Sequence, residues 1–598
     1  MAMSHAAGGA VAPGHARGAL FEGAGSGLIV FIWAVYAFAM AYGAFGGAIE
    51  ALSTDDAARL AEVNDLLAGQ SWFDLTQYRL NPPDGVVMHW SRVIDLPIAL
   101  ILLAAERLFA QDVALRLTLT LWPLLLLLPA LFAVASASRT LAGPSAGVIG
   151  AFMLVMSPGV TQRFAPSAID HHGAQVALAL TLLACALRIE TSARAAVGAG
   201  VCAALMTAIG METAPHVAVC AAVIALRWAV TGDAMARGAR LFGLTFAAGT
   251  SAVALATLSP DSWSAPVCDT LGVGHLAIAI VGGLGLAAAT SFARGDVVSR
   301  FFGLAQVGVA SLAALAIASP NCFSSPYAAL PERLQTGWLA RVQEAQTFVS
   351  SAINEPTASV AIGLPLLAVL GVAIWAMATA KPEARWRVGV AVAMFAAALG
   401  VTAWQVRGVS LAFAMAAPLL PMAVLAIGRT GDALRTVLAV IALSPATLAL
   451  VGLGVADAAG LEPIAAGGAA KRCPSADYLA LGALPLGLAL NTIDTGPYIL
   501  ALSPLAAVAA PYHRNVDGLT AAIDAFQGSE EAARAVAVSR NATYVVVCPL
   551  DGGVTPEALA HPGGFSDILV SGKAPAWLEP IPLGPHAKLL AFRVLAGR

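Results

Sequence analysis

Apolar residues run in long blocks along this chain, and polar residues gather between them. Blocks long enough for a helix to cross a bilayer, about 17–25 residues, fall near 27–48, 113–136, 142–157, 173–188, 195–211, 214–230, 240–258, 273–292, 301–319, 359–379, 388–404, 408–427 and 433–454. A few are short. The stretch 94–110 is also apolar, but it holds Asp95, Glu106 and Arg107. That mixture predicts a helix lying on the membrane surface. The pattern therefore predicts thirteen spans.

Loop charge orients them. With the N-terminus in the cytoplasm, every inward loop is basic: Arg139; Arg188 and Arg194; Arg227, Arg237 and Arg240; Arg294 and Arg300; Lys381, Arg385 and Arg387; Arg429 and Arg435. That is the bias expected of cytoplasmic loops. Three polar parts then lie outside: loops 49–112 and 320–358, and everything from about 455. The last part alternates short apolar runs (478–481, 486–490, 544–547, 589–594) with helix-like stretches (519–526, 530–538), which predicts a small α/β domain. The expected organisation is a disordered cytoplasmic tail, 1–26; a transmembrane domain, 27–454, whose first span is an uncleaved signal-anchor; and an extracytoplasmic domain, 455–598.

Composition agrees with a polytopic membrane protein. Of 598 residues 59% are hydrophobic and only 11% charged, against about 25% charged in soluble domains. The formal net charge of −3 gives no footprint for nucleic acid. Of seven cysteines, Cys185, Cys202 and Cys220 fall in spans. Cys268, Cys322, Cys473 and Cys548 fall outside, an even number that suits an oxidising compartment. Cys268–Cys322 and Cys473–Cys548 are the expected pairs, although sequence alone does not fix the pairing.

Ionisable groups at a membrane are costly and usually functional. Two acidic motifs follow spans on the same outer side: Asp55-Asp56-Ala57-Ala58-Arg59-Leu60-Ala61-Glu62-Val63, and Asp170-His171-His172. The first opens a helix, and its plain reading is a cap by Thr54 or Asp55. Its functional reading is that one Asp caps while the other acts as a general base or metal ligand. A carboxylate and an imidazole two residues apart, Asp170 and His172, can share one divalent ion. Glu344 lies in the second long loop. Arg163, Arg407, His513 and Arg514 are outer cations able to meet phosphate. Glu212 and His216 flank a very short turn and read as peripheral. Neither a GxxxxGK[ST] loop nor a strand-linked GxGxxG is present, so nucleotide hydrolysis and nicotinamide chemistry have no support.

These motifs together resemble the membrane glycosyltransferases of the C superfamily (the GT-C fold), which draw sugars from polyprenyl-phosphate carriers. The 55–63 motif, followed by Gly69-Gln70-Ser71-Trp72, is similar to the first-loop motif of aminoarabinose and protein O-mannosyl transferases, with Ala57 in place of a second acid. His89-Trp90-Ser91-Arg92-Val93-Ile94-Asp95, Asp170-His171-His172 and Glu344 resemble segments of the oligosaccharyltransferase catalytic subunit. Thirteen spans and an external C-terminal domain are that subunit's layout. Its tryptophan-rich acceptor motif is replaced here by Thr492-Ile493-Asp494-Thr495-Gly496-Pro497-Tyr498, which argues against an Asn-X-Ser/Thr acceptor.

The resemblance implies a sugar moved from a polyprenyl-phosphate donor to a lipid, glycan or protein acceptor at the outer face of a bacterial inner membrane. Asp56, with Asp55, is the expected base. Asp56, Asp170, His172 and Glu344 are the expected ligands of a divalent metal, Mg or Mn with Zn not excluded. Arg59, His89, Arg163, His171, Arg407, His513 and Arg514 are expected around substrate and phosphate. The competing classes are a flippase of lipid-linked sugars and a non-catalytic scaffold. A flippase predicts ionisable groups in mid-span or matching pairs of broken helices; here the acids gather at span ends.

Overall fold

A computed structural model describes residues 25–292, 295–325, 327–428, 433–462, 472–550 and 563–595. Each of the thirteen apolar blocks falls on a helix or a bent helix pair. Among the described residues, eight helices are long and apolar enough to cross a membrane, or up to ten if each bent pair forms one span. The bent pairs are Val406–Ala416 with Leu420–Ile427 and Ala433–Ala442 with Pro445–Ala458. They are consecutive in the chain. The remaining blocks form the shorter apolar helices Ala146–Val155, His172–Ala186 and Ala193–Ile209. The chain is a multi-pass membrane protein.

Small residues let these helices approach. Asp233–Thr257 and Val273–Phe292 cross at Gly243 and Gly283, where a Cβ on Gly243 would lie 2.4 Å from the Gly283 carbonyl oxygen. Lipid offers no hydrophobic drive between helices, so such close backbone contact carries the packing. The 94–110 stretch forms the helix Arg92–Glu106. It buries Ile94, Ile98, Ala99 and Leu102 and exposes Leu96, Leu100 and Leu103. It is not among the candidate spans.

The C-terminal part carries a five-stranded mixed sheet of order β4-β3-β5-β7-β6. The strands are β3 Leu488–Asn491, β4 Ala506–Ala507, β5 Tyr544–Val547, β6 Leu578–Ile581 and β7 Leu590–Val594; β1 (Thr76–Gln77) and β2 (Val86–Val87) form a small ribbon in the first loop. β3 pairs in parallel with β4 and β5, and β7 runs antiparallel to β5 and β6. The run 478–481 is not a strand. Ser475–Ala480 is helical, because Asp477 turns inward to accept the amides of Lys588 and Leu589, at 2.7 and 3.0 Å. Cys473 is bonded to Cys548 at the end of β5, and Cys268 to Cys322 between two loops. Cys185, Cys202 and Cys220 are free and buried.

The first loop is tied to the sheet. Asn81 donates its amide to the Ala507 carbonyl and Ala507 to that of Arg79, at 2.7 and 2.8 Å. The Tyr498 and Tyr512 hydroxyls donate to the carbonyls of Leu52 and Thr54, at 3.1 and 3.2 Å. The C-terminal domain thus fixes the start of the helix that carries Asp55 and Asp56.

Candidate active site

The helix Thr54–Leu67 is capped by Ser53, one residue before Thr54 and two before Asp55, the expected caps. The consequence is a division between two neighbouring acids. With Ser53 as cap, Asp56 takes the third helical position, where a carboxylate reaches back over the helix start. Its Oδ2 accepts from the Ser53 amide and hydroxyl, at 3.1 and 2.6 Å. Its Oδ1 accepts from the amides of Ile169 and Asp170, at 2.7 and 2.9 Å. An ionised carboxylate offers about four acceptor sites, so Asp56 is fully used. It staples one motif to the other. Asp55 projects instead into a cavity of about 440 Å³, beside His89, His171, His172, Glu212 and Glu344.

The second motif is ordered by its own carboxylate. Asp170 accepts the His172 amide at 2.9 Å and meets His172 Nδ1 at 2.6 Å. That contact fixes the ring and turns Nε2 away from Asp170. Nε2 is buried, has no hydrogen-bond partner, and lies 3.4 Å from Glu212 Oε2. His171 stacks on His172 with ring centres 4.5 Å apart, and its Nε2 is 3.7 Å from the same oxygen. The other Glu212 oxygen accepts from Arg407 Nη1 at 2.8 Å, and Arg407 Nη2 donates to the Tyr327 hydroxyl at 3.3 Å.

Burial pushes the Asp55 carboxyl up to about 7, with Glu344 and Asp170 adding to the effect. Asp56 is pushed to about 6 by burial and then by Asp170, against its Ser53 hydrogen bonds. Burial would raise Asp170 too, but His172, His171 and Arg163 outweigh it and hold the carboxyl well below its usual range.

Among the described residues, His171, His172 and Glu212 form a group able to hold a metal ion. An orphaned imidazole nitrogen beside a carboxylate, with a second carboxylate orienting the ring from behind, fits a divalent ion of the Mn or Zn type. This set differs from the sequence expectation. Asp170 lies behind His172, Asp56 accepts from three backbone amides and the Ser53 hydroxyl, and Glu212 is the carboxylate that lies beside the free imidazole nitrogen. Glu212 is therefore not peripheral; His216 is buried without partners and lies off the cavity lining.

The other expected residues divide by environment. Glu344 and Arg407 line both the polar cavity and a second, largely apolar one of about 670 Å³, which also takes Arg163, Phe413 and Leu450. His89 and His513 line the polar cavity. Arg514 grips Asp269 through Nε and Nη2, at 2.8 and 2.7 Å, and His513 Nε2 meets the same carboxylate at 2.7 Å. Arg59 is fully buried and outside the cavity lining. It pairs with Asp95 at 2.5 Å and Glu62 at 3.3 Å, and its guanidinium lies 4.5 Å from the centre of the Trp90 ring. These contacts hold it within the packed interior, away from the cavity. Asp269 escaped the sequence reading; its one signal was its place beside Cys268.

No family model matches the chain, and no curated protein matches its sequence. Its shape does find relatives. The archaeal oligosaccharyltransferase AglB from Archaeoglobus fulgidus, tethered to an acceptor peptide with the NVT sequon, aligns at a TM-score of 0.64 and 13% identity, over 90% of this chain and 72% of that one. The chain shares the fold of that structure over most of its length. AglB with an inhibitory peptide and a dolichol-phosphate aligns at 0.61 and 12% identity, over 89% and 72% of the two chains. Its complex with Zn and sulfate aligns at 0.59 and 14%, over 89% and 70%. At these identities the likeness concerns the GT-C arrangement of helices and domain, as the motifs implied.

Proposed function

We propose that the chain is a glycosyltransferase of a bacterial inner membrane, taking a sugar from a polyprenyl-phosphate carrier on the periplasmic side. The observation that carries this reading is the meeting of two cavities at Gln343, Glu344 and Arg407. One is apolar, walled by membrane helices, and suits a lipid tail. The other is polar and contains Asp55. A lipid-linked sugar with its tail in the first presents its anomeric carbon to the second. That AglB was solved with a dolichol-phosphate supports a donor of this kind.

In this scheme an acceptor hydroxyl in the polar cavity attacks the anomeric carbon. The bond from that carbon to the phosphate oxygen breaks, and the polyprenyl phosphate leaves with the electron pair. Asp55 takes the hydroxyl proton as general base. Arg407, held in place by Glu212 and Tyr327, and Arg163 meet the charge that grows on the phosphate. Direct displacement inverts the anomeric centre. His171, His172 and Glu212 would hold a divalent ion, which supplies further stabilisation of phosphate charge when bound.

The test is release of polyprenyl phosphate from a pool of sugar-loaded carriers by purified protein in proteoliposomes. Release is expected with wild type and is expected to slow at least about tenfold in Arg407→Gln, the loss of one charge-assisted contact. No release from any carrier would overturn the reading.

A further inference from the structure

We propose that the polar cavity is a saccharide site and that the acceptor is a glycan, which rests on the transferase reading above. Its lining has a band of rings. Trp90 meets Tyr512 edge-on at 5.3 Å, His89 lies 4.9 Å from His513, and Tyr327 meets His513 edge-on at 5.7 Å. Trp338 adds a further ring to the same lining. The remaining wall carries Asp55, Glu212, Glu344 and Arg407. A pyranose has apolar C–H faces that pack on ring faces and a rim of hydroxyls that both donate and accept. This lining offers both complements.

The two imidazoles suit hydroxyls in particular. Burial, and then His513 and Arg514, hold His89 well below its usual value, so its ring is neutral with one donor and one acceptor nitrogen. Its Nδ1 is buried without a hydrogen-bond partner although the residue lines the cavity. His513 is braced by Asp269 from behind.

Other acceptor classes fit less well. One common mode of peptide binding pairs an extended chain with a strand edge, and among the described residues no strand contributes to this lining. A lipid acceptor needs an apolar path from the bilayer. The apolar cavity that meets this one at Gln343, Glu344 and Arg407 holds the donor's tail in the scheme above, and the membrane helices supply the polar cavity itself with His172, Glu212 and Arg407, all polar. A volume of about 440 Å³ lies within the ~300–1,000 Å³ range of small-ligand sites, which suits a few sugar rings.

Saturation-transfer-difference NMR on the full chain in nanodiscs tests this without donor or turnover. The probes are neutral, amino and uronic trisaccharides, an Asn-Gly-Thr peptide, and lysophosphatidylethanolamine. At least one trisaccharide is expected to show saturable signals on its ring protons, and the peptide and lipid none. Trp338→Ala, and separately His513→Ala, with melting curves matching wild type, are expected to weaken that binding about tenfold, the scale of one lost contact. Silence from every saccharide, signal from the peptide or the lipid alone, or wild-type binding in both variants would overturn the proposal. Saccharide binding without transfer from any polyprenyl-phosphate donor would leave the saccharide site standing and remove the transferase reading.

Discussion

Ser53 caps the first-loop helix, and that single choice of start separates the roles of Asp55 and Asp56. Asp56→Ala removes a cap interaction and strands two buried amides, at a cost of about 2–4 kcal/mol. A lower melting temperature for that variant is the check. Asp269 makes a prediction in pH. Burial alone would raise its carboxyl, but His513 and Arg514 hold it well below the usual carboxylate range. The folded state therefore binds fewer protons than the unfolded one below about pH 4. The clamp contributes in full above that value and is lost as pH falls through the folded carboxyl's own range. Hydrogen exchange at Tyr512–Asn515 should rise with acid in wild type, and should already be high near neutral pH in Asp269→Asn.

Elements were legible where periodicity and length speak for themselves. The thirteen apolar blocks, the helix over Arg92–Glu106 and strands such as Tyr544–Val547 were all visible as patterns. That four cysteines share the outer side was legible, but their pairing was left open by the sequence and is set by the fold. Removing Cys473–Cys548, which spans 75 residues, should cost about 2–4 kcal/mol, seen as a lower melting temperature of the double serine variant without reductant. The residues missed are those placed by packing between distant elements. Glu212 is a lone acid in a tight turn, and only the approach of Arg407, 195 positions later, and of His172 gives it a role. Arg59 looked like a substrate cation because its partner Asp95 is 36 positions away. The cap position turned on the reciprocal contact between Ser53 and Asp56, which Thr54, with Ala57 three residues on, could not make.

For the whole molecule, membrane helices, first loop and C-terminal domain converge on one polar basin that opens beside an apolar one. The His171–His172–Glu212 group makes the metal prediction a matter of the assembled molecule, since these residues come from two helix starts. Purified protein is expected to carry a divalent ion that EDTA removes together with transfer. His172→Ala should lose the bound ion by elemental analysis, and re-added Mn should restore wild type only.

The most direct test is the transfer rate from a radiolabelled polyprenyl-phosphate sugar in proteoliposomes, with Asp55→Asn and Asp56→Asn beside wild type and melting curves for each. Loss of a general base costs about 10²–10⁴-fold. The prediction is a loss of that size in Asp55→Asn at unchanged stability, while Asp56→Asn melts lower yet transfers at a temperature where it stays folded. Wild-type transfer by folded Asp55→Asn would contradict the account.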